Sequence, residues 1–137
     1  MLTFEEPEVF YETIKKYPNK EETYKIIGAC MEVHKNLGRG FLEIVYKEAL
    51  EIEFKLQDIP YKREQAFEIE YKGKKLNRYY VADFIVFDCI VLELKAQSYV
   101  IEENYKQVIN YLAASKLKTG LLINFGEDSL KFKRVVL

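Results

Sequence analysis

Two acidic residues and a lysine stand within an otherwise apolar part of the sequence. Asp83 is followed by nine residues that are mainly apolar or aromatic, and these lead to Glu93-Leu94-Lys95. Burying carboxylates among such residues is costly unless a partner compensates their charge. A hard divalent cation is such a partner, because it prefers oxygen ligands, polarises a bound phosphate and lowers the pKa of a bound water. With the ammonium of Lys95 to orient a water or stabilise a transition state, the set predicts phosphodiester hydrolysis.

The connection between the two strands decides whether these carboxylates meet. A three-residue loop at Phe87-Asp88-Cys89 pairs residue 83 with residue 93 on one face of the sheet. A two-residue loop would pair residue 83 with residue 94 and would place the carboxylates on opposite faces. We therefore predict an odd-length loop or a bulge. The plainer alternative is a Glu-x-Lys ladder on an amphipathic sheet, with an aspartate that merely ends a strand.

Hydrophobic patterning predicts the helices that must hold this sheet. The first begins with an N-terminal cap of Asn19 and Glu22 and is stopped by Gly38 and Gly40. Its apolar stripe comprises Ile26, Cys30, Val33 and Leu37. The second is predicted over residues 42–56, with the core face Leu42, Val45, Ala49, Ile52 and Leu56. The third is predicted over residues 101–115, with the apolar positions Ile101, Tyr105, Val108 and Leu112.

Strand patterns occupy the remaining segments. Alternating or continuous apolar runs predict strands over residues 66–71, 76–87, 90–96, 119–125 and 130–137. The order ααβββαβ(β) predicts an α/β (α+β) fold, with a central mixed sheet of four or five strands flanked by helices. Residues 21–137 form the predicted domain, and residues 1–20 form an N-terminal arm with a short helix over residues 8–17.

Composition fits one soluble domain of 137 residues, with 49% hydrophobic and 31% charged residues. The formal net charge of -1 neither indicates nor excludes a nucleic-acid binder, because acidic site residues offset basic clusters at residues 62–63, 72–78 and 131–134. No apolar run reaches the roughly 18 residues of a membrane span. The acidic N-terminus has no signal-peptide pattern and the two cysteines form no motif, so we expect a cytoplasmic protein with reduced thiols.

Five sequence elements, taken in order, resemble a known family. Asp83 and Glu93-Leu94-Lys95 resemble the signature of the PD-(D/E)XK nuclease superfamily, although Ala82 stands where the signature has proline. Residues 40–46 match G-x-x-E-x-x-Y and follow IGACMEVH at residues 27–34, as in the GxxExxY family of that superfamily. Residues 107–111 match Q-x-x-x-Y, and residues 120–126 (GLLINFG) resemble that family's terminal strand. The resemblance covers about residues 21–137 and implies a restriction-endonuclease-like core.

The resemblance also implies a role for each matching residue. Mg²⁺ (or Mn²⁺) would be the cofactor, held by Glu43, Asp83, Glu93 and the backbone carbonyl of Leu94. Lys95 would be the catalytic lysine. Gln107 and Tyr111 would share one helix face and hold Lys95, a water or DNA. The plainer alternatives are an exposed helix glutamate for Glu43 and a pair at the rim of the core for Gln107 and Tyr111.

The function implied is a metal-dependent nuclease acting on nucleic acid, with DNA as the expected substrate. The alternative is a catalytically silent module that keeps the nuclease fold and binds nucleic acid or a protein. A further alternative is a subunit that depends on a partner or a homodimer, with the arm of residues 1–20 as its docking element. Tyr46 is expected to pack in the core, and the lone His34 to be a cap or a packed side chain.

Overall fold

Within residues 19–137, which a computed structural model describes, three helices and five strands follow the predicted order. The helices are α1 (Lys20–Leu37), α2 (Glu43–Leu56) and α3 (Glu102–Ser115). The strands are β1 (Tyr61–Tyr71), β2 (Lys74–Val86), β3 (Ile90–Lys95), β4 (Thr119–Asn124) and β5 (Lys131–Val136). The helix predicted over residues 8–17, and all but the end of the predicted arm, lie outside the described residues.

The strands form one mixed sheet in the order β1-β2-β3-β4-β5. β3 and β4 are parallel, and every other neighbouring pair is antiparallel. The parallel pair needs a crossover, which α3 supplies between β3 and β4. The prediction of a four- or five-stranded mixed sheet flanked by helices is therefore confirmed.

Two apolar layers cover the two faces of this sheet. The larger one combines residues of α1 and α2 with sheet residues such as Phe84, Leu92 and Ile123. The smaller one packs Val108, Tyr111 and Leu112 of α3 against the other face. No helix within residues 19–137 combines the length and the apolar content needed to cross a bilayer.

The predicted core face of α2 is wrong. Leu42, Ile52 and Leu56 are exposed, and the buried stripe is Tyr46, Leu50 and Phe54. Both sets repeat at helical spacing, but the second contains two aromatic rings, which remove much more apolar surface from water when they are buried. The helix is therefore rotated about its axis relative to the prediction. This rotation turns a ridge of charged residues, Glu43, Lys47 and Glu51, towards the strands.

Asn19 is the N-cap residue of α1, as predicted, but the capping bond expected from its side chain is absent. α1 begins at Lys20, and Asn19 has a left-handed backbone. Its amide oxygen accepts a hydrogen bond from the Thr119 hydroxyl at 3.1 Å, and its amide nitrogen lies 3.6 Å from the Cys89 sulfur. The side chain therefore connects the start of α1 to the sheet. At the other end, α1 stops before Gly38, as predicted.

The loop between β2 and β3 has the predicted length. β2 ends at Val86 and β3 begins at Ile90, and the strands pair in the register Phe84↔Leu92 and Val86↔Ile90. Phe87 and Asp88 both adopt positive φ angles, which makes the tight reversal. Continued by one step, this register places residue 83 opposite residue 93.

Candidate active site

Asp83 and Glu93 meet through hydrogen bonds from each other's strand. The backbone N–H of Asp83 donates to Glu93 Oε1 at 2.9 Å, and the N–H of Leu94 donates to Asp83 Oδ2 at 2.8 Å. Both residues are buried, with relative exposures of 8% for Asp83 and 3% for Glu93. Two carboxylates predicted to converge therefore lie side by side inside the sheet.

A local irregularity of the sheet makes room for these side-chain bonds. Ala82 and Ile85 lie three positions apart, yet both pack into the layer beneath α3, so the alternation of faces is interrupted between them. Opposite this point, Glu64 of β1 has a φ of 58°. Backbone pairing of β2 with β3 ends at Phe84. Beyond it, the backbone N–H groups of Asp83 and Leu94 donate to the side-chain carboxylates instead of to backbone carbonyls.

The electrostatics of the pair reflect its burial. Burial, and next the negative charge of Asp83, raise the pKa of Glu93 to about 9, while the charge of Lys95 opposes the shift. Burial and the neighbouring Asp83 carboxylate therefore both favour the protonated form of Glu93. Lys95 is half-buried at the end of β3 and makes no ion pair within residues 19–137, so its ammonium is available to a ligand.

Glu43 reaches the pair through a residue that the sequence analysis missed. Lys47 lies one turn after Glu43 on α2, and its ammonium is 3.5 Å from Glu43 Oε1 and 2.6 Å from Asp83 Oδ1. Burial lowers the pKa of Lys47, but the hydrogen bond and the charge of Asp83, with that of Glu43, raise it overall. The signal was present in the sequence: Glu43, Lys47 and Glu51 recur every four residues beside the true apolar stripe.

Tyr111 belongs to the site, and Gln107 lies beside it. Tyr111 is buried, and its ring meets that of Tyr80 edge to face at 5.6 Å. Burial raises the pKa of Tyr111, with further contributions from the charges of Glu93 and Asp83. Gln107 is half-buried one turn earlier on α3, and no hydrogen bond joins its side chain to another residue of the described part of the chain.

The segment after Lys95 is fixed by Asn124 of β4. The Asn124 amide accepts a hydrogen bond from the Gln97 N–H at 3.0 Å and donates one to the Gln97 carbonyl at 2.9 Å. The N–H of Gly126 donates to the same amide oxygen at 3.2 Å. A side chain at Gly126 would collide with the Gln97 backbone. The Asn-Phe-Gly stretch therefore anchors the chain as it leaves β3.

The G-x-x-E-x-x-Y stretch is held by its tyrosine. Tyr46 is fully buried, as predicted, and stacks on Phe125 with ring centroids 4.6 Å apart. Its hydroxyl donates to the Gly38 carbonyl at 2.6 Å and accepts from the Phe41 N–H at 3.3 Å. Gly40 has a φ of 112°, which a residue with a side chain rarely adopts. His34 is packed, as predicted, with Nε2 3.0 Å from the Glu127 carbonyl.

Comparison with known proteins identifies the family. A family model described as the PD-(D/E)XK nuclease superfamily matches residues 20–135. The chain belongs to this superfamily. Asp83 and Glu93, which the sheet brings together, and Lys95 after them are the residues that the sequence analysis matched to the signature of this superfamily.

The chain is also similar in fold to a solved structure, the crystal structure of SSO0001, with a TM-score of 0.55 and 21% sequence identity. The match covers 67% of the present chain and 48% of that chain, so the two share a fold over about half of the other protein. No curated protein matches the chain. The fold is the expected restriction-endonuclease-like α+β arrangement of a five-stranded mixed sheet with helices on both faces.

PD-(D/E)XK nucleases generally depend on a divalent metal ion, and the donor chemistry here suits one. Glu43, Asp83 and Glu93 offer hard oxygens, and a positive group, the Lys47 ammonium, already bridges two of them. Within residues 19–137, no three His, Cys, Asp or Glu side chains are grouped so that they could hold a metal ion as they stand. The donor chemistry of these residues therefore suits a metal ion, but their side chains are not arranged to hold one, and the Lys47 ammonium contacts Asp83 Oδ1.

Proposed function

We propose that this protein is a metal-dependent nuclease of the GxxExxY type that hydrolyses phosphodiester bonds of DNA. The observation that carries the proposal is the reciprocal bonding of Asp83 and Glu93 through the backbone of β2 and β3. Two buried carboxylates this close repel each other when both are charged, and burial and then the charge of Asp83 raise the pKa of Glu93. A divalent cation would remove the repulsion.

Each residue of the site has a distinct part in the proposed reaction. Glu43, Asp83, Glu93 and the Leu94 carbonyl would hold Mg²⁺ or Mn²⁺, which when bound neutralises phosphate charge and makes water more acidic. Lys95, which is without an ion pair to the described residues, would orient the attacking water or stabilise the charge that develops on the phosphate. The buried Tyr111 would limit the water around Glu93, and Gln107 would contact the water or the nucleic acid.

A basic projection beside the site supports a nucleic acid as the substrate. β1 and β2 extend beyond the end of β3, and the residues around their turn are exposed. This hairpin tip carries Lys72, Lys74, Lys75 and Arg78. Lys75 forms an ion pair with Glu68 at 2.9 Å, and the Lys72 ammonium lies 5.5 Å from the centroid of the Tyr71 ring. Cations on a projecting arm suit a phosphate backbone. DNA rather than RNA is the substrate class that the resemblance favours.

The decisive experiment compares cleavage of labelled single- and double-stranded DNA by wild type, Asp83→Asn and Lys95→Met with Mg²⁺ or Mn²⁺. We expect both variants to lose cleavage by a factor of a hundred or more, roughly the size of one electrostatic catalytic contact. Asp83→Asn should also lose the rise in melting temperature that the metal gives to wild type. Cleavage that survives in Lys95→Met, or equal metal responses of wild type and Asp83→Asn, would disprove the site.

A catalytically silent binding module is the second candidate, and the Lys47 contact favours it. Because the ammonium already compensates Asp83 and Glu43, the fold needs no metal to remain neutral at this point. The same assay separates the candidates: metal-independent DNA binding without cleavage indicates the module. A cytoplasmic location, and a homodimer or protein partner docking through residues 1–20, remain predictions for fractionation and sedimentation measurements.

A further inference from the structure

Lys47 holds the place of a cation in the carboxylate cluster. Its side chain is only 15% exposed, and its ammonium makes a short contact of 2.6 Å with Asp83 Oδ1. The other oxygen of Asp83 is committed to the Leu94 N–H. Asp83 therefore has both oxygens engaged by donors of the protein itself, and one of those donors carries a full positive charge.

We infer that Lys47 is an internal counter-ion that a divalent metal must displace from Asp83 before the site can work. The inference rests on the proposed nuclease function. Mg²⁺ binds oxygen at about 2.0–2.1 Å, so an ammonium and a metal cannot both keep short contacts with the same carboxylate oxygen without strong repulsion. An ammonium has three N–H donors, so it can contact several carboxylate oxygens at once, as a bound metal ion would.

The anatomy of the side chain allows this displacement. Lysine carries its charge on a flexible stem of four carbons, so the ammonium can move while α2 stays in place. The helix itself is fixed by Tyr46, Leu50 and Phe54, which are fully buried. Glu43, at 36% side-chain exposure, lies on the solvent side of the contact. The released ammonium would therefore move outwards past Glu43 and stay tethered beside the site, where a substrate phosphate can receive it.

This positioning role predicts a metal affinity that rises when the ammonium is removed. We expect Lys47→Met, which keeps the length of the side chain, to bind Mg²⁺ or Mn²⁺ roughly ten- to a hundredfold more tightly than wild type, the range for one charge-assisted hydrogen bond. Calorimetric titration without nucleic acid measures this affinity. Lys95→Met serves as the matched control, because it removes a nearby positive charge that has no contact with Asp83. Its affinity should rise much less.

A second measurement, by NMR, follows the Lys47 side chain itself in protein that keeps its positive charge. In protein with ¹³Cε-labelled lysines, the Lys47 signal, assigned with Lys47→Arg, should be distinct in the metal-free form and should move towards the exposed lysines as Mg²⁺ is added. A Lys47 signal that stays fixed while metal binds, or a Lys95→Met affinity that rises as much as that of Lys47→Met, would overturn the inference and leave the nuclease proposal intact. An absence of saturable metal binding in wild type and Lys47→Met alike would overturn both.

Discussion

Replacing Glu93 by glutamine should change how the stability of the metal-free protein depends on pH. The pKa of Glu93 is raised from 4.5 to about 9, mainly by burial and next by the charge of Asp83. A carboxyl group whose pKa is higher in the folded than in the unfolded state stabilises the fold fully below its unfolded pKa. That contribution is lost as the pH rises, and the loss is complete above the folded pKa.

The size of the effect follows from proton uptake. Between the two pKa values the folded state binds one more proton at Glu93 than the unfolded state, so this group lowers the free energy of unfolding by about 1.4 kcal/mol per pH unit. From about pH 6 to about pH 8 the full effect would be about 2.7 kcal/mol. Because Glu93 interacts strongly with the charge of Asp83, its proton uptake is spread over a wider pH range, and we expect about 2 kcal/mol from this residue.

Urea denaturation at both pH values, in the presence of a chelator, measures the effect. Glu93→Gln should gain about 2 kcal/mol on wild type as the pH rises, since glutamine has no proton to take up. Glu48→Gln, at an exposed position of α2, is the matched control and should follow the wild-type curve. If the curves of wild type and Glu93→Gln run parallel over this range, Glu93 is ionised in the folded protein and the repulsion argument is wrong.

Two further outcomes are expected. Arg78→Ala should weaken DNA binding at the hairpin and reduce the slope of log K, where K is the DNA-binding constant, against log salt concentration by about one unit. Lys25→Ala, on the outer surface of α1, is the control and should leave both the affinity and the slope unchanged. Fluorescence anisotropy over a salt series measures both, and equal losses in the two variants would mean that the hairpin tip does not contact DNA. Asn124→Ala should cost about 2 to 3 kcal/mol in urea denaturation, because it leaves the half-buried backbone N–H and carbonyl of Gln97 and the Gly126 N–H without their partner. A loss below about 0.5 kcal/mol would show that water replaces the Asn124 amide.

The sequence predicted the carboxylate pair because the loop between β2 and β3 is local. The length of this loop sets the register, and the register decides whether residues 83 and 93 meet. The residues between the two strands were therefore enough to predict the pair. The buried face of α2 could not be predicted in the same way. Two apolar stripes repeat at the same spacing, and the stripe with Tyr46 and Phe54 is selected by contacts between distant segments. Tyr46 stacks on Phe125, and Phe54 packs against Tyr61 and Phe84. The error in that face hid Lys47, whose contact with Asp83 joins residues 36 positions apart.

Other features lay beyond any pattern of spacing. The interruption of strand alternation at Asp83 lies opposite Glu64 of the neighbouring strand, which adopts a positive φ although nothing in its residue type requires one. The anchoring of Gln97 by Asn124 depends on β3 and β4 lying in parallel register, with Lys95 opposite Asn124. Such contacts follow from the assembled sheet and not from the individual segments.

The hydroxyl of Tyr46 gives the glycine-rich turn before α2 a fixed span. Because that oxygen touches both Gly38 and Phe41 while its ring rests on Phe125, the turn has one length that fits. Adding or deleting one residue between them would detach the tyrosine from one of its two contacts and rotate the first turn of α2. Glu43 would then point elsewhere with its side chain unaltered, so the protein tolerates changes of residue type in this turn far better than changes in its length.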